Sequence, residues 1–219
     1  MPFGGGEGSM RIPSETEFAK AVALWREWNA RINVVSRKDE ENIFAHHILH
    51  SLSIAQYLEL YYSIDIGDES HRMSVLDVGT GGGFPGIPLA MVMPWAQFTL
   101  CDSIGKKIKV AQEVADGLGL KNVECVNVRA ENLSGEWDWV VSRAVTSLDN
   151  FYPWVKGRFR NSILYLKGGN VAEEISLLQK KYQIPSANFR AWRIDSWLKN
   201  EYFAEKFVIE IGKNYLCTP

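Results

Sequence analysis

The chain predicts an α/β fold: a mostly parallel, doubly wound sheet with helices on both faces, preceded by a helical extension. Three observations carry this. Short apolar runs of strand length alternate with segments of helical period. The first run falls directly into a glycine-rich turn and a proline-containing helix start. Polar residues follow the first five runs, where ligands sit in open α/β sheets.

A chain of 219 residues is long enough for one such domain with a small appendage. Its hydrophobic share of 46% and charged share of 23% are those of an ordinary globular protein. The longest apolar stretch, 87–96, is broken by Pro88 and Pro94 and is too short to cross a bilayer. A net charge of −2 gives no overall nucleic-acid footprint, so any RNA contact must come from a local basic patch. Cys101, Cys125 and Cys217 have no metal-binding spacing, and their odd number argues against a disulfide framework. A reducing, cytoplasmic setting is expected.

In chain order, residues 1–12 read as a disordered leader or tag, 13–66 as the helical extension and 67–219 as the α/β domain. Ser14 and Glu17 form a capping box, and the helix after it places Phe18, Ala21, Val22, Trp25 and Trp28 on one face. A polar link, 29–41, leads to a second helix with Phe44, Ile48, Leu52, Ala55 and Leu58 at helical spacing. Strands are predicted at 73–78, 97–101, 123–128, 137–141 and 163–166, and a final one at 203–211. Between them, Ser103 can cap a helix whose apolar face is Ile104, Ile108, Ala111, Ala115 and Leu118, closed by Gly117 and Gly119. Residues 171–181 form a further helix.

The chemistry concentrates after the first strand, in Gly79-Thr80-Gly81-Gly82-Gly83-Phe84-Pro85-Gly86. Gly81, Gly83 and Gly86 match the spacing of a dinucleotide fingerprint, but they start three residues after the strand ends. Asp77, Gly79, Gly81 and Gly83 instead follow the pattern of motif I of S-adenosylmethionine (SAM)-dependent methyltransferases. SAM carries a sulfonium and an ammonium but no phosphate, so an acid beside its amino-acid end attracts it, whereas an acid would repel a pyrophosphate. Asp102, 23 residues beyond Gly79, stands where an acid binds ribose hydroxyls. Ala130 and Glu131 fit an adenine site, Phe84 a pocket wall, and Arg143 a position close to the methyl donor.

Other residues are read more plainly. His46 and His50 lie four apart, but no third ligand accompanies them, so no metal is expected and the histidines 46, 47 and 50 are read as surface or RNA-facing. Lys106 and Lys107 open a helix and read as a solvated pair. Asn33, Ser36, Arg37, Lys38, His47, Arg143 and Lys167 could form one basic and polar rim. The place where amine methylases carry an Asn/Asp-Pro-Pro-aromatic box reads Ser142-Arg143-Ala144-Val145, and no cysteine follows a proline as C5 methylation usually requires. Acceptors with a free lone pair remain, guanine N7 and small molecules among them.

Residues 77–90, Asp102 to Lys107, Asn127 to Glu131, Val141 to Val145 and Leu166 to Gly169, with Asn33 to Ser36 and His47 to Leu52 upstream, resemble the bacterial 16S rRNA guanine-N7 methyltransferases, the glucose-inhibited division protein B family. His50 stands where many members carry Asp. The resemblance implies a Rossmann-like class I SAM-dependent methyltransferase with a seven-stranded sheet. It further implies a cytoplasmic monomer that methylates N7 of a guanine in the 530 loop of 16S rRNA. A small-molecule methyltransferase is the alternative. Carried over by position, Asp77, Gly79, Gly81, Phe84, Asp102, Ala130, Glu131 and Arg143 would bind SAM. Arg143 and Lys167 would serve catalysis beside the target base, and Asn33, Ser36, His47 and Lys106 would meet the RNA.

Overall fold

The computed structural model describes residues 10–70 and 72–213. Cys217 and most of the expected leader lie outside them. Met10, within the range expected to be leader, packs into the fold. It is buried in the same apolar cluster as Phe18 and Leu198, and its carbonyl accepts a hydrogen bond from Trp197 Nε1 at 3.2 Å.

Seven strands form one sheet in the order β3-β2-β1-β4-β5-β7-β6. They are β1 (Ser74–Val78), β2 (Gln97–Asp102), β3 (Val123–Asn127), β4 (Trp137–Arg143), β5 (Phe159–Gly168), β6 (Phe189–Arg193) and β7 (Lys206–Gly212). Strands β1 to β5 run parallel, while β7 is antiparallel to both β5 and β6. Strand β1 lies between β2 and β4, so the chain reverses its direction of winding there. The final strand starts at Lys206, not at 203, because Phe203 turns inward at the end of a 3-10 turn, Glu201–Phe203. Strand β6 had no residue pattern to announce it: on this edge strand only Trp192 is buried.

Helices α1 (Ala19–Asn29), α2 (Leu49–Tyr62), α3 (Gly86–Val92) and α4 (Gly105–Leu118) cover one face; α5 (Leu148–Val155) and α6 (Val171–Tyr182) cover the other. Alternate side chains of each central strand feed the two cores: Val75 and Val141 enter the first, Leu76 and Val140 the second. The expected capping box holds, with the Ser14 amide donating to Glu17 Oε2 at 2.7 Å. Ser103 does not cap α4. Ile104 is the N-cap, and its amide donates to Asp102 Oδ1 at 2.9 Å.

The extension is fused to the sheet. A π-helical segment, Ile43–Ile48, leads into α2, which is buried on all sides from His50 to Leu58. Tyr57, Tyr62 and Ser162 Oγ all donate to the Glu210 carboxylate, tying α2 to β5 and β7. Glu210 is 6% exposed, and these donors, with Arg190 at 3.3 Å, satisfy its buried carboxyl group. At the other end, Trp25 of α1 is fully buried, stacks on Phe84 at 4.2 Å between centroids, and donates from Nε1 to Gly82 O at 2.7 Å. One side chain thus docks α1 on the glycine turn. Trp25→Ala should lower stability by about 3–5 kcal/mol in urea unfolding; a loss below about 1 kcal/mol would show that other contacts hold the extension in place.

Candidate active site

The glycine turn after β1 is held from below and packed from above. Gly79 and Thr80 donate their amides to Cys101 O at the end of β2, at 2.8 and 3.1 Å. Asp77 Oδ2 accepts from Thr80 Oγ1 at 2.6 Å and from the Gly86 amide at 2.8 Å, binding the turn to the first residue of α3. Asp77 is fully buried, and burial pushes its carboxyl up to about 7 against those two hydrogen bonds. It does not line the cavity described next. The acid expected beside a ligand's amino-acid end ties the turn internally through Oδ2, while its buried Oδ1 has no partner among the described residues.

A cavity of about 370 Å³ opens beside the turn, at the carboxyl ends of β1, β2, β3 and β4. Gly79, Asp102, Ala130, Glu131 and Arg143 line it, as expected from the sequence. Asp102 takes the Gly81 amide on Oδ2 at 3.0 Å and the Ile104 amide on Oδ1 at 2.9 Å. Each carboxylate oxygen keeps a further lone pair, as a diol ligand requires. Val78, Ile104 and Val128 give an apolar wall, and Trp154 of α5 adds an aromatic one. Sequence reasoning missed Trp154, Val145 and the lining role of Lys107, which was read as a solvated residue.

Gly81, Phe84 and Lys167 do not line the cavity. Gly81, at φ +58°, contributes through its amide on Asp102. Phe84 is 3% exposed and belongs to the core against Trp25, because its ring follows a turn that points it inward. Lys167 Nζ pairs with Glu174 at 2.7 Å and donates to Thr146 O at 3.0 Å, so it braces the loop after β4. In that loop Ala144 adopts φ +47°, and the amides of Val145 and Thr146 are held by the Tyr165 hydroxyl.

The histidines face inward, which corrects the surface reading. His47 Nε2 meets Asp39 Oδ2 at 2.6 Å, and its Nδ1 meets an Arg143 guanidinium nitrogen at 2.9 Å. His46 uses the other Asp39 oxygen and stacks on Tyr202 with centroids 3.5 Å apart. His50 is buried, with edge contacts to Tyr202 and Phe203, and its Nε2 has no partner among the described residues. Burial, with the nearby Arg143 charge, pulls His50 well below the usual histidine range and His47 down to about 4. Burial also lowers Arg143 to about 10, so it stays cationic at neutral pH. Nothing in the linear sequence marked Asp39. Asn33, Ser36 and Lys106 are exposed; the first two flank Val34 and Val35, whose amides donate to the buried Asn29 Oδ1. Among the described residues no cluster of three or more His, Cys, Asp or Glu could hold a metal ion. Nor is any described helix long and apolar enough to cross a membrane.

A family profile described as rRNA small subunit methyltransferase G matches residues 15–192. The chain belongs to this family. It is 43% identical over 204 residues to a protein of Flavobacterium psychrophilum named ribosomal RNA small subunit methyltransferase G, covering 90% of each chain. A protein of the same name from Christiangramia forsetii is 42% identical over 208 residues, covering 91% of this chain and 90% of its own. Among solved structures, the plantazolicin methyltransferase BpumL in complex with SAH superposes with a TM-score of 0.61 at 15% identity, over 91% of this chain and 97% of that one. Magnesium protoporphyrin IX methyltransferase (ChlM) from Synechocystis PCC 6803 with bound SAM gives 0.59 at 14% identity, over 93% and 98%. At such identities these two share the fold. The rRNA small subunit methyltransferase G family thus has here the Rossmann-like, mostly parallel seven-stranded sheet of the SAM-dependent methyltransferases.

The depressed His47 pKa has a thermodynamic consequence. An unfolded histidine binds its proton near pH 6.5, whereas the folded one does so near 4. The unfolded state therefore takes up protons first. His47 favours the fold fully above pH 6.5, and that contribution is lost as pH falls through 4. The stability gap between the protein and its His47→Gln variant should shrink by roughly 3 kcal/mol between pH 7 and 4. A constant gap in chemical denaturation would contradict the buried neutral imidazole.

Proposed function

We propose that the protein transfers the methyl group of SAM to N7 of a guanine in the 530 loop of 16S rRNA, as a cytoplasmic monomer. The cavity at the β1/β4 switch point carries the reading, with the Asp102 carboxylate on one wall and the Arg143 guanidinium on another. Family membership supplies the rRNA substrate class.

The residues fit this cofactor. Asp102 has acceptor capacity for a ribose diol, Ala130 and Glu131 line the cavity together with apolar Val128 and Ile104, which suits an adenine, and Arg143 offers a cation to a carboxylate. SAM supplies an electrophilic methyl group on a sulfonium. Guanine N7 already carries a free lone pair, so the protein need only align it and keep water out. Ser142, at the place of the amine-methylase box, is not a free hydroxyl: it donates to Val78 O at 2.7 Å. Nor do Cys101 and Cys125 suit covalent attack on a pyrimidine, since burial pushes both thiols up to about 12. Asn33, Ser36 and Lys106 are exposed, which leaves them open to RNA. His47 is withdrawn from that role by its two internal hydrogen bonds. Lys167 acts through Thr146, holding the loop that borders the cavity.

Tritiated SAM incubated with small subunits lacking the modification tests this directly. Label should enter 16S rRNA at a guanine and be released with 7-methylguanine; label elsewhere, or none, overturns the assignment. Gly79→Val should abolish SAM binding in calorimetry, because a Cβ there lies 2.5 Å from Val145 Cγ2 at φ +69°. Arg143→Ala should cut kcat/KM by roughly 10–100-fold, the range for a lost charged hydrogen bond. Its melting temperature should change less than that of Trp25→Ala.

A further inference from the structure

Arg143 is a withdrawn cation with a single hydrogen-bond partner among the described residues, and that partner is neutral. A guanidinium has five N–H donors and no acceptor. The His47 nitrogen facing it must therefore be a lone pair, which places the imidazole hydrogen on Nε2, facing Asp39. Asp39 in turn is held below the usual carboxylate range: burial opposes this, but the hydrogen bonds from His46 and His47 outweigh it. The Phe84 ring lies 4.9 Å from the guanidinium carbon and closes one face of the group.

We propose that Asp39 and His47 are positioning residues that aim the Arg143 guanidinium at the carboxylate of the cofactor's amino-acid end. Asp39 fixes the tautomer of His47, His47 fixes one edge of Arg143, and Arg143 lines the cavity. The inference rests on the SAM reading above. It gives the helical extension a task at the site, because Asp39 belongs to the 3-10 turn Arg37–Asn42 and His47 to the segment before α2. An arginine paired directly with a carboxylate would present less positive charge to a ligand. Here the carboxylate lies one imidazole away, so orientation is supplied while the cation is left unneutralised.

Two substitutions separate positioning from bulk. Asn at 47 brings its side-chain oxygen near the place of Nδ1 and keeps an acceptor for Arg143. Gln at 47 reaches the place of Nε2 and keeps the Asp39 contact instead. The Kd for SAM from calorimetry, without RNA, should rise on the order of tenfold in H47Q and H47A. H47N should recover most of that loss, D39N should resemble H47Q, and the KM for small subunits should move little in all four. Nitrogen-15 histidine spectra of the SAM-free protein should show His47 protonated on Nε2 alone. Equal SAM affinity in H47N and H47Q, unchanged affinity in H47Q, or a proton on Nδ1 overturns the proposal. A parent protein that binds no SAM overturns the cofactor reading, whereas the tautomer is read independently of it.

Discussion

The site depends on volume that the glycines after β1 leave free for other elements. A Cβ on Gly79 would meet Val145, one on Gly82 would lie 2.8 Å from Val34, one on Gly83 would lie 2.3 Å from Ile87, and one on Gly86 would meet Asp77 and Leu100 at 2.8 Å. Five parts of the chain therefore close on a single bend: the loop after β4, the link after α1, helix α3, strand β1 and strand β2. Backbone freedom matters too, since Gly79, Gly81 and Gly83 all take positive φ. Packing is the tighter constraint, because it makes the bend the meeting point of the extension and the sheet.

Electrostatics around the bend divide into two layers. Underneath, Asp77 is buried and ties Thr80 to Gly86 through one carboxylate oxygen, an internal use that stiffens the turn. In the cavity wall, Asp102 holds two backbone amides yet stays at the surface of the opening. The same residue type thus serves structure at one strand end and the ligand at the next. The difference is one of height along the strands: Asp77 pairs in register with Leu100, so Asp102 on the neighbouring strand stands two positions further on, at the mouth of the cavity. Arg143 adds the opposite sign, and its hydrogen-bond partner among the described residues is a neutral imidazole, not a carboxylate.

Much of this was legible in the chain. The five parallel strands, the turn, the capping box and the lining roles of Gly79, Asp102, Ala130, Glu131 and Arg143 follow from periodicity and from residues at strand ends. Strand β6 was invisible residue by residue because an edge strand with one buried side chain has no alternation to read. The histidines deceived for a related reason. His46, His47 and His50 look polar in a polar setting, yet α2 is enclosed on all sides and carries His50 inside with it.

By itself the sequence determined the five parallel strands, most of the helices between them and the strand ends where a ligand must lie, because these obey local rules of period, capping and backbone freedom. Only the tertiary structure decided that Asp77 and Phe84 turn inward, that Lys167 braces a loop through Glu174 and Thr146, and that Asp39 reaches Arg143 through His47. Those outcomes join residues as many as 96 positions apart. Their partners are chosen by three-dimensional packing, which no spacing along one segment encodes.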